Sequence, residues 1–419
     1  MLVFKFGGAS VKNAEAVRNV AKILSKYQNE ELLVVVSAMG KTTNMLEKLT
    51  RAVLNKDDAY KKQLQEIEQF HSEIIDDLFA EDGSALYEVN DKIFVYLRQR
   101  IAEQQDQSYD QAYDQMVSIG ELLSTKIVSA YLEKQELKNQ WLDARKLIIT
   151  DDNFREAKVD WDKTELAISK AFAKTEGTKL WVSQGFIGGT EGNYITTLGR
   201  EGSDYSASIF AFVLDAEKVI IWKDVPGVLN ADPKHFNNTD LLSNISYREA
   251  IELSYFGASV IHPKTIKPLQ NKAIPLFVKS FYEPDEAGSL INENGDSDHL
   301  LPSYILKSDQ VLLSISPKDY SFMVEEHLSD IFRQFSQEKL KINIMQNSAL
   351  SFSVSVDGPI EKLESLIARL SKTFRVKFNE EVHLLTIRHY SQHVLDELIK
   401  GKEILLEQKT RETVRFLLR

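Results

Sequence analysis

The residues best suited to chemistry lie in one glycine-spaced segment, Thr196 to Ala207, which reads TTLGREGSDYSA and leads into an apolar, helix-like run. A turn at a helix start presents unpaired backbone N–H groups and the positive end of the helix dipole, which suit an anion such as a phosphate. Arg200 adds donors for a carboxylate or a phosphate. Asp204 stands where a carboxylate can orient a transferring group. The alternative is a capped helix with Ser203 or Asp204 as the N-cap.

Two further segments follow the first two predicted strands. Leu2 to Phe6 is a short apolar strand that ends in Gly7-Gly8-Ala9-Ser10, and Leu32 to Ser37 is almost wholly apolar, as in a central parallel strand. Strand, glycine turn, helix and strand begin an α/β unit. Because ligands bind beyond the carboxyl ends of such strands, we expect Lys5 to Ser10 and Ser37 to Asn44 to share one edge.

Residues 45 to 140 carry helical patterning almost throughout, and an ordinary surface position explains nearly every charge there. The exception is Glu121, which follows Gly120 at a predicted helix start. A purely structural interpretation makes it a first-turn acid favoured by the helix dipole.

A turn-rich loop, Lys223 to Lys234, follows the predicted buried strand Lys218 to Trp222. Its two acids and two lysines either sit in turns that need such residues in any case, or neutralise phosphates and line a nucleotide site. His262 precedes a proline and is predicted to be a structural turn residue.

The pattern changes after residue 310. Strands and helices between Val311 and Phe378 follow the ferredoxin-like order β-α-β-β-α-β, and Val382 begins the same order again, which stops after βαββ. Residues 283 to 303 are rich in Glu, Asp, Asn, Gly and Ser, as in a linker.

Composition excludes several classes of protein. The 419 residues include no cysteine, which removes disulfides, thiolate catalysis and cysteine metal sites. A net charge of −11 argues against nucleic-acid and acidic-membrane partners. His389, His393 and Glu397 have the spacing of one helix face, which is either a weak metal site or a solvated face. With no signal-peptide pattern and only strand-sized apolar runs, we expect a cytoplasmic protein without membrane spans.

Together, five segments in this order resemble aspartate kinase: Lys5 to Ser10, Ser118 to Glu121, Thr196 to Ala207, Trp222 to Lys234, and Phe256 to Pro263. This resemblance implies an α/β fold, a three-layer αβα amino-acid kinase domain with a mainly parallel sheet, followed by ferredoxin-like ACT modules. The implied boundaries are 1–290 for the kinase domain with its helical segment 45–140, 291–309 for a linker, 310–380 for an ACT-like domain, and 381–419 for a truncated second module.

The implied reaction is phosphoryl transfer from MgATP to the side-chain carboxylate of L-aspartate, giving 4-phospho-L-aspartate and ADP, the first step towards lysine, threonine and methionine. A carboxylate is already a nucleophile at neutral pH, so catalysis reduces to positioning and charge neutralisation. Lys5 would stabilise the transferring group and Asp204 would orient Lys5. The implied aspartate-binding residues are Thr43, Glu121, Arg200 and Ser203. The implied nucleotide-binding residues are Gly7, Gly8, Ala9, Lys223, Asp224, Leu229, Asp232, Lys234 and Ser259, and Mg²⁺ would be carried by ATP without protein ligands.

Some residues depart from the family pattern. Ala9 stands in place of Thr, Ser259 in place of Lys and Leu229 in place of Tyr, which predicts weaker ATP contacts unless Lys223 supplies the missing charge. Glu201 replaces the middle glycine of Arg-Gly-Gly-Ser-Asp. It brings a negative charge beside the predicted anion site and disfavours a positive φ angle.

Family members bind lysine or threonine between ACT modules at a dimer interface. Here Ser321-Phe322-Met323 and Lys341 to Met345 lack the expected glycine and acid, and an uncharged Asn343 would hold an ammonium less well than a carboxylate. We expect the tail to serve mainly homodimerisation, with an amino-acid effector left open.

Two alternatives to an aspartate kinase remain. One is another kinase of the same fold acting on a small carboxylate, carbamate or phosphate. The other is a catalytically weak amino-acid sensor, which Glu201, Ser259 and Leu229 would favour. A nicotinamide enzyme is disfavoured because no strand–G-x-G-x-x-G–helix unit appears. The chain ends before a fused homoserine dehydrogenase could begin, so we expect it to lack that second activity.

Overall fold

A computed structural model describes residues 1–79, 84–103, 107–173, 177–258, 261–357 and 360–419. The chain divides into two compact units. The first unit comprises 1–228, 241–251 and 259–297, and the second comprises 229–240, 252–258 and 298–419.

The first unit is built on an eight-stranded sheet. Its strands and a small hairpin are β1 (Leu2–Phe6), β2 (Leu32–Val36), β3 (Gln140–Leu142), β4 (Leu180–Gln184), β5 (Ile187–Gly189), β6 (Ile195–Thr197), β7 (Lys218–Lys223), β8 (Asn244–Ser246), β9 (Leu276–Ser280) and β10 (Ser289–Asn292). The sheet order is β3-β4-β2-β1-β7-β9-β10-β8, and only the β9–β10 pair is antiparallel. β5 and β6 form the separate antiparallel hairpin. The apolar run that predicted β2 is buried along its whole length, as a central parallel strand requires.

Nine helices follow or connect these strands in the described part of the chain. They are α1 (Ala14–Ser25), α2 (Thr42–Leu54), α3 (Ala59–Phe79), α4 (Ser84–Glu103), α5 (Tyr109–Lys134), α6 (Trp161–Phe172), α7 (Gly202–Val213), α8 (Tyr247–Phe256) and α9 (Pro263–Asn271). The helical patterning predicted for residues 45–140 is therefore confirmed as α2 to α5.

Strand alternation decides which helices each face of the sheet meets. Phe4 and Phe6 of β1 pack in one core with Val17 of α1 and Ile127 of α5. Because successive side chains of a strand point to opposite faces, Lys5 lies on the other face, where its ammonium meets Asp204 of α7. Helices thus cover both faces of a mainly parallel sheet, and the predicted three-layer α/β architecture is confirmed.

The second unit contains a six-stranded antiparallel sheet. Its elements are β11 (Ser303–Pro317), α10 (Glu325–Gln337), β12 (Lys341–Asn347), β13 (Phe352–Asp357), α11 (Ile360–Thr373), β14 (Phe374–Arg388), α12 (Gln392–Leu398), β15 (Ile404–Lys409) and β16 (Thr413–Leu418). The sheet order is β12-β13-β11-β14-β16-β15. The β-α-β-β-α-β order is confirmed from β11 to β14, and α12, β15 and β16 follow it.

Two sequence predictions for this unit are wrong. The predicted strands ending at Phe378 and beginning at Val382 are one continuous strand, β14, which pairs with β11 on both sides of Glu381, a residue with a φ of +55°. His389 lies before α12 with a φ of +52°, so it is not part of the helix on which the sequence placed it.

No helix in the described ranges is both long and apolar enough to cross a membrane.

Candidate active site

The first unit brings two lysines and one aspartate together at the carboxyl edge of its sheet. Lys5 Nζ lies 2.5 Å from Asp204 Oδ1, and Lys223 Nζ lies 4.0 Å from Asp204 Oδ2. The register explains this geometry, because Lys5 is paired with Ile221 and Lys223 follows two residues later on the same face. Two ammonium groups one pleat apart therefore face the first turn of α7.

Burial controls the electrostatics of this cluster. Asp204 is only 3% exposed and Lys5 only 12% exposed, so bulk water screens their attraction weakly. Burial raises the pKa of Asp204, but the neighbouring Lys5 and Lys223 charges outweigh it and hold that pKa below its usual range. Asp204 is thus an anion that fixes two cations at a strand end.

The loop after β1 packs directly on the loop after β2. A Cβ on Gly8 would lie 2.8 Å from the Gly40 carbonyl oxygen and 2.9 Å from that of Ala38, so only glycine fits. Gly40 N–H donates to the Gly8 carbonyl at 3.0 Å. The predicted shared edge for these two loops is confirmed, and a short 3₁₀ turn over Gly8–Val11 places Ala9 at the surface.

Glu121 lies in the middle of α5, not at a helix start, so that prediction is wrong. The prediction took Gly120 as a helix boundary. In the structure this glycine permits close packing instead, since a Cβ there would lie 2.9 Å from Ala38 Cβ and 3.2 Å from Thr42 Cγ2. This approach brings α5 against the loop after β2. Thr43, one residue further, is half-buried in the first turn of α2.

The Glu121 carboxylate is buried and only partly paired. Its Oε1 accepts the Ala38 N–H at 3.3 Å, while no hydrogen-bond donor in the described residues reaches Oε2. Burial raises the pKa of Glu121 to about 8, and the Ala38 N–H opposes that shift. A buried carboxylate with a spare oxygen is suited to receive a cationic group from a ligand.

Helix α7 begins differently from the sequence prediction. Glu201 occupies the N-cap position in the left-handed conformation, with φ +53°, whereas Ser203 and Asp204 lie inside the first turn. Neither is the N-cap, and the predicted conflict between glutamate and a positive φ did not prevent this backbone. Ser203 packs directly against Gly185, because a Cβ on that glycine would lie only 2.6 Å from Ser203 Cβ.

Arg200 is exposed in the turn before α7. The adjacent Gly199 has a φ of +79°, which favours glycine. The guanidinium is therefore accessible to a ligand, while Asp204, four residues on, is buried.

The predicted nucleotide residues are only partly brought together. Lys223 joins the Asp204 cluster, and Asp224 is exposed directly after it. Leu229, Asp232 and Lys234 belong to the second unit, where Asp232 Oδ1 accepts the Lys234 N–H at 2.9 Å in a local turn. Ser259 lies outside the described residues.

Sequence reasoning missed Asp114. This side chain of α5 is fully buried and accepts N–H groups from Arg155 at 2.9 Å and Thr197 at 2.8 Å, and the Thr197 hydroxyl at 2.7 Å. Burial raises its pKa to about 6, and these hydrogen bonds limit the rise. Asp114 ties α5, which carries Glu121, to β6, which leads to Arg200. The sequence predicts a solvated position for Asp114, because its neighbours Tyr113 and Gln115 do not form an apolar pattern that would indicate burial.

No group of three or more acidic or histidine side chains suited to a metal ion occurs among the described residues.

Comparisons with known proteins show the family to which this chain is similar. The sequence model of the amino acid kinase family matches residues 1–280. Lysine-sensitive aspartokinase 3 of Escherichia coli (strain K12) is 30% identical over 397 residues, which cover 92% of this chain and 86% of that protein. The crystal structure of E. coli aspartokinase III with aspartate and ADP superposes with a TM-score of 0.83 and 26% identity, covering 100% of this chain and 96% of that chain.

The curated relatives also include longer proteins. Bifunctional aspartokinase/homoserine dehydrogenase 2 of Arabidopsis thaliana is 35% identical over 304 residues, which cover 71% of this chain and 33% of that protein. The chain thus spans about a third of the length of such bifunctional relatives.

Proposed function

This chain belongs to the amino acid kinase family and, within it, to the aspartokinases, and we propose that it phosphorylates the side-chain carboxylate of L-aspartate with ATP. The bond between the γ-phosphorus and the β,γ-bridging oxygen breaks, a bond to the aspartate carboxylate oxygen forms, and ADP leaves. The products are ADP and 4-phospho-L-aspartate.

The buried Lys5–Asp204 pair carries this proposal. Phosphoryl transfer needs fixed positive charge where negative charge shifts between oxygens. Lys5, held at 2.5 Å by Asp204 at the end of β1, supplies that charge without reorganisation. Lys223, 4.0 Å from the other oxygen of the same carboxylate, supplies a second cation. No general base is needed, because the attacking aspartate carboxylate is ionised at neutral pH.

The aspartate site follows from complementary charge. The spare Oε2 of buried Glu121 would accept the substrate ammonium, and the exposed Arg200 guanidinium would bind a carboxylate through its paired donors. Ser203 and Thr43 would add hydroxyl donors. A relative crystallised with aspartate and ADP supports this choice of substrates.

The nucleotide would lie against the glycine loop and the end of β7. Backbone N–H groups of Gly7, Gly8 and Ala9 suit phosphate oxygens, and Lys223 and Asp224 follow at the neighbouring strand end. Mg²⁺ would arrive bound to the ATP phosphates and neutralise part of their charge. The nucleotide contacts expected for Leu229, Asp232, Lys234 and Ser259 stay predictions.

We assign assembly and regulation to the second unit. The second unit would serve homodimerisation, and lysine or threonine is a possible effector because one relative is a lysine-sensitive aspartokinase. A catalytically weak sensor is the second candidate function, since Glu201 places an acid beside the proposed aspartate site.

Substrate choice tests the proposal. ADP release from MgATP should depend on L-aspartate and be far slower with D-aspartate, L-glutamate or carbamate. Equal release with another of these substrates would favour a different kinase of this fold. ATP binding without aspartate-dependent release would favour the sensor.

A further inference from the structure

The turn before α7 contains an acid that the proposed reaction does not use. Glu201 adopts a left-handed backbone, with φ +53° and ψ +29°. For a residue with a Cβ this conformation is strained. A compensating interaction is therefore expected.

That interaction reaches a second helix. Glu201 Oε2 accepts the backbone N–H of His262 at 2.8 Å. His262 is the N-cap of α9, and its Nδ1 accepts the Lys264 N–H at 3.1 Å. The Glu201 carboxylate thus lies at the positive end of α9, where a negative charge is stabilised. One side chain ties the start of α7 to the start of α9.

Other charges surround the same turn. A Cβ on Gly199 would lie 3.4 Å from Glu156 Cγ and 3.7 Å from Lys264 Nζ. Arg200 lies between Gly199, whose carbonyl accepts the Gly202 N–H at 3.0 Å, and Glu201, whose Oε2 accepts the His262 N–H. Both neighbours of Arg200 in the chain are therefore held by hydrogen bonds.

We propose that Glu201 is a positioning residue, a clasp on α9 that holds the Arg200 turn ready for the substrate carboxylate. The inference rests on the proposed function, because it assigns Arg200 to L-aspartate. The proposal also explains why Glu201 stands where the family pattern has glycine. Although Glu201 is an acid beside the proposed anion site, its bond to His262 positions Arg200, which binds the anion.

Hydrogen exchange tests the clasp without any activity. We would compare the wild-type chain with Glu201→Gln, which keeps a weaker acceptor, and Glu201→Asn, which tolerates the backbone but is too short to reach His262. Pro263 has no N–H and adds no exchanging amide directly after His262. The first two residues of a peptide lose their label after digestion, so the His262 amide is followed in peptides that begin several residues before it. We expect its exchange to rise about tenfold in Glu201→Asn and less in Glu201→Gln. The control is Glu156→Gln, which removes an equal nearby charge and should leave exchange unchanged.

Steady-state kinetics test the positioning role. In Glu201→Asn we expect KM for L-aspartate to rise about fivefold, while kcat and KM for ATP stay nearly unchanged. Glu156→Gln should match the wild type. A structural cap alone would change exchange but leave KM for L-aspartate unaltered.

The outcomes separate the two proposals. Faster His262 exchange together with a selective rise in KM supports the inference. Unchanged exchange, or changed exchange with unchanged KM, overturns it. If the wild-type chain does not turn over L-aspartate, the proposed function fails and the positioning role falls with it, whereas the exchange result still reports whether the clasp exists.

Discussion

At the scale of single residues, the position of Lys5 follows from one alternation along β1. Its neighbours Phe4 and Phe6 are buried in the apolar core, so Lys5 must face α7. Asp204 then holds its ammonium, and the ion pair is shielded from solvent. Local patterns predicted Lys5 at a strand and Asp204 at a helix start, and the family resemblance implied their pairing.

Replacing Lys5 by Ala should lower kcat by about 10²–10³, the usual effect of removing one preorganised charge. Asp204 retains Lys223 at 4.0 Å, so the fold should persist with a lower melting temperature. Kinetics with circular dichroism would measure both. Lys218→Ala is the matched control, since this residue begins the same β7 strand as Lys223 and lies 3.5 Å from the exposed carboxylate of Glu217. Near-wild-type turnover in Lys5→Ala would refute the role of Lys5.

Glu121 predicts a pH dependence with a definite sign. Its pKa is about 8 in the folded chain and 4.5 for the ordinary group. The folded state therefore binds the extra proton between these values, so the free energy of unfolding should fall as pH rises from about 5 to 8. Glu121→Gln should remove that slope in urea unfolding without ligand.

The same carboxyl should affect substrate binding in the opposite direction. Because an ammonium prefers the ionised carboxylate, KM for L-aspartate should decrease between pH 6 and 8 in the wild type. Glu121→Gln should show a higher KM and a flatter profile. A wild-type profile equal to that of the variant would remove Glu121 from the substrate site.

At the scale of elements, periodicity predicted the strands and helices, but not which charged helix residues are buried. Gly120 looked like a helix boundary and is instead a close contact with Ala38 and Thr42, which only the tertiary packing reveals. Asp114 looked like a surface acid because its partners, Arg155 and Thr197, are 41 and 83 residues away. Long-range hydrogen bonds of this kind leave no local pattern in one sequence.

Asp114 should therefore matter for stability. Asp114→Ala removes three hydrogen bonds and leaves buried donors unpaired, so the free energy of unfolding should fall by about 2–4 kcal/mol. Asp114→Asn keeps one acceptor oxygen and should lose less. Urea unfolding would measure these changes. The control is Asp110→Ala, an exposed acid one turn earlier on α5. Equal effects at both positions would contradict the account.

At the scale of the whole molecule, the second unit contains Asn343, the position at which the family resemblance implied contact with an effector ammonium. Asn343 is buried, its Nδ2 donates to Gln310 at 2.7 Å and Asp357 at 2.9 Å, and its Oδ1 accepts Lys307 Nζ at 2.9 Å. A ligand ammonium would have to displace Lys307 to reach this amide. The sequence showed that the expected acid is absent at Asn343, whereas the contact between Lys307 and Asn343 became visible only in the structure.

We therefore expect isothermal titration with lysine and threonine to show no tight, saturable binding. Light scattering should show a dimer, as proposed for this unit. Tight binding of either amino acid would contradict the expected role of the second unit. Lys307→Met is a useful companion variant, because it removes the ammonium that donates to Asn343 Oδ1 and keeps an unbranched side chain only one atom shorter. Binding gained only in this variant would confirm that Lys307 blocks the position.

The most direct test of the central claim is to trap the product. Incubation with MgATP, L-aspartate and hydroxylamine should yield aspartyl hydroxamate in step with ADP release, because an acyl phosphate reacts with hydroxylamine whereas a phosphate monoester does not. Lys5→Ala should lower both signals together. ADP release without hydroxamate, or no aspartate-dependent release at all, would contradict phosphoryl transfer to the aspartate carboxylate.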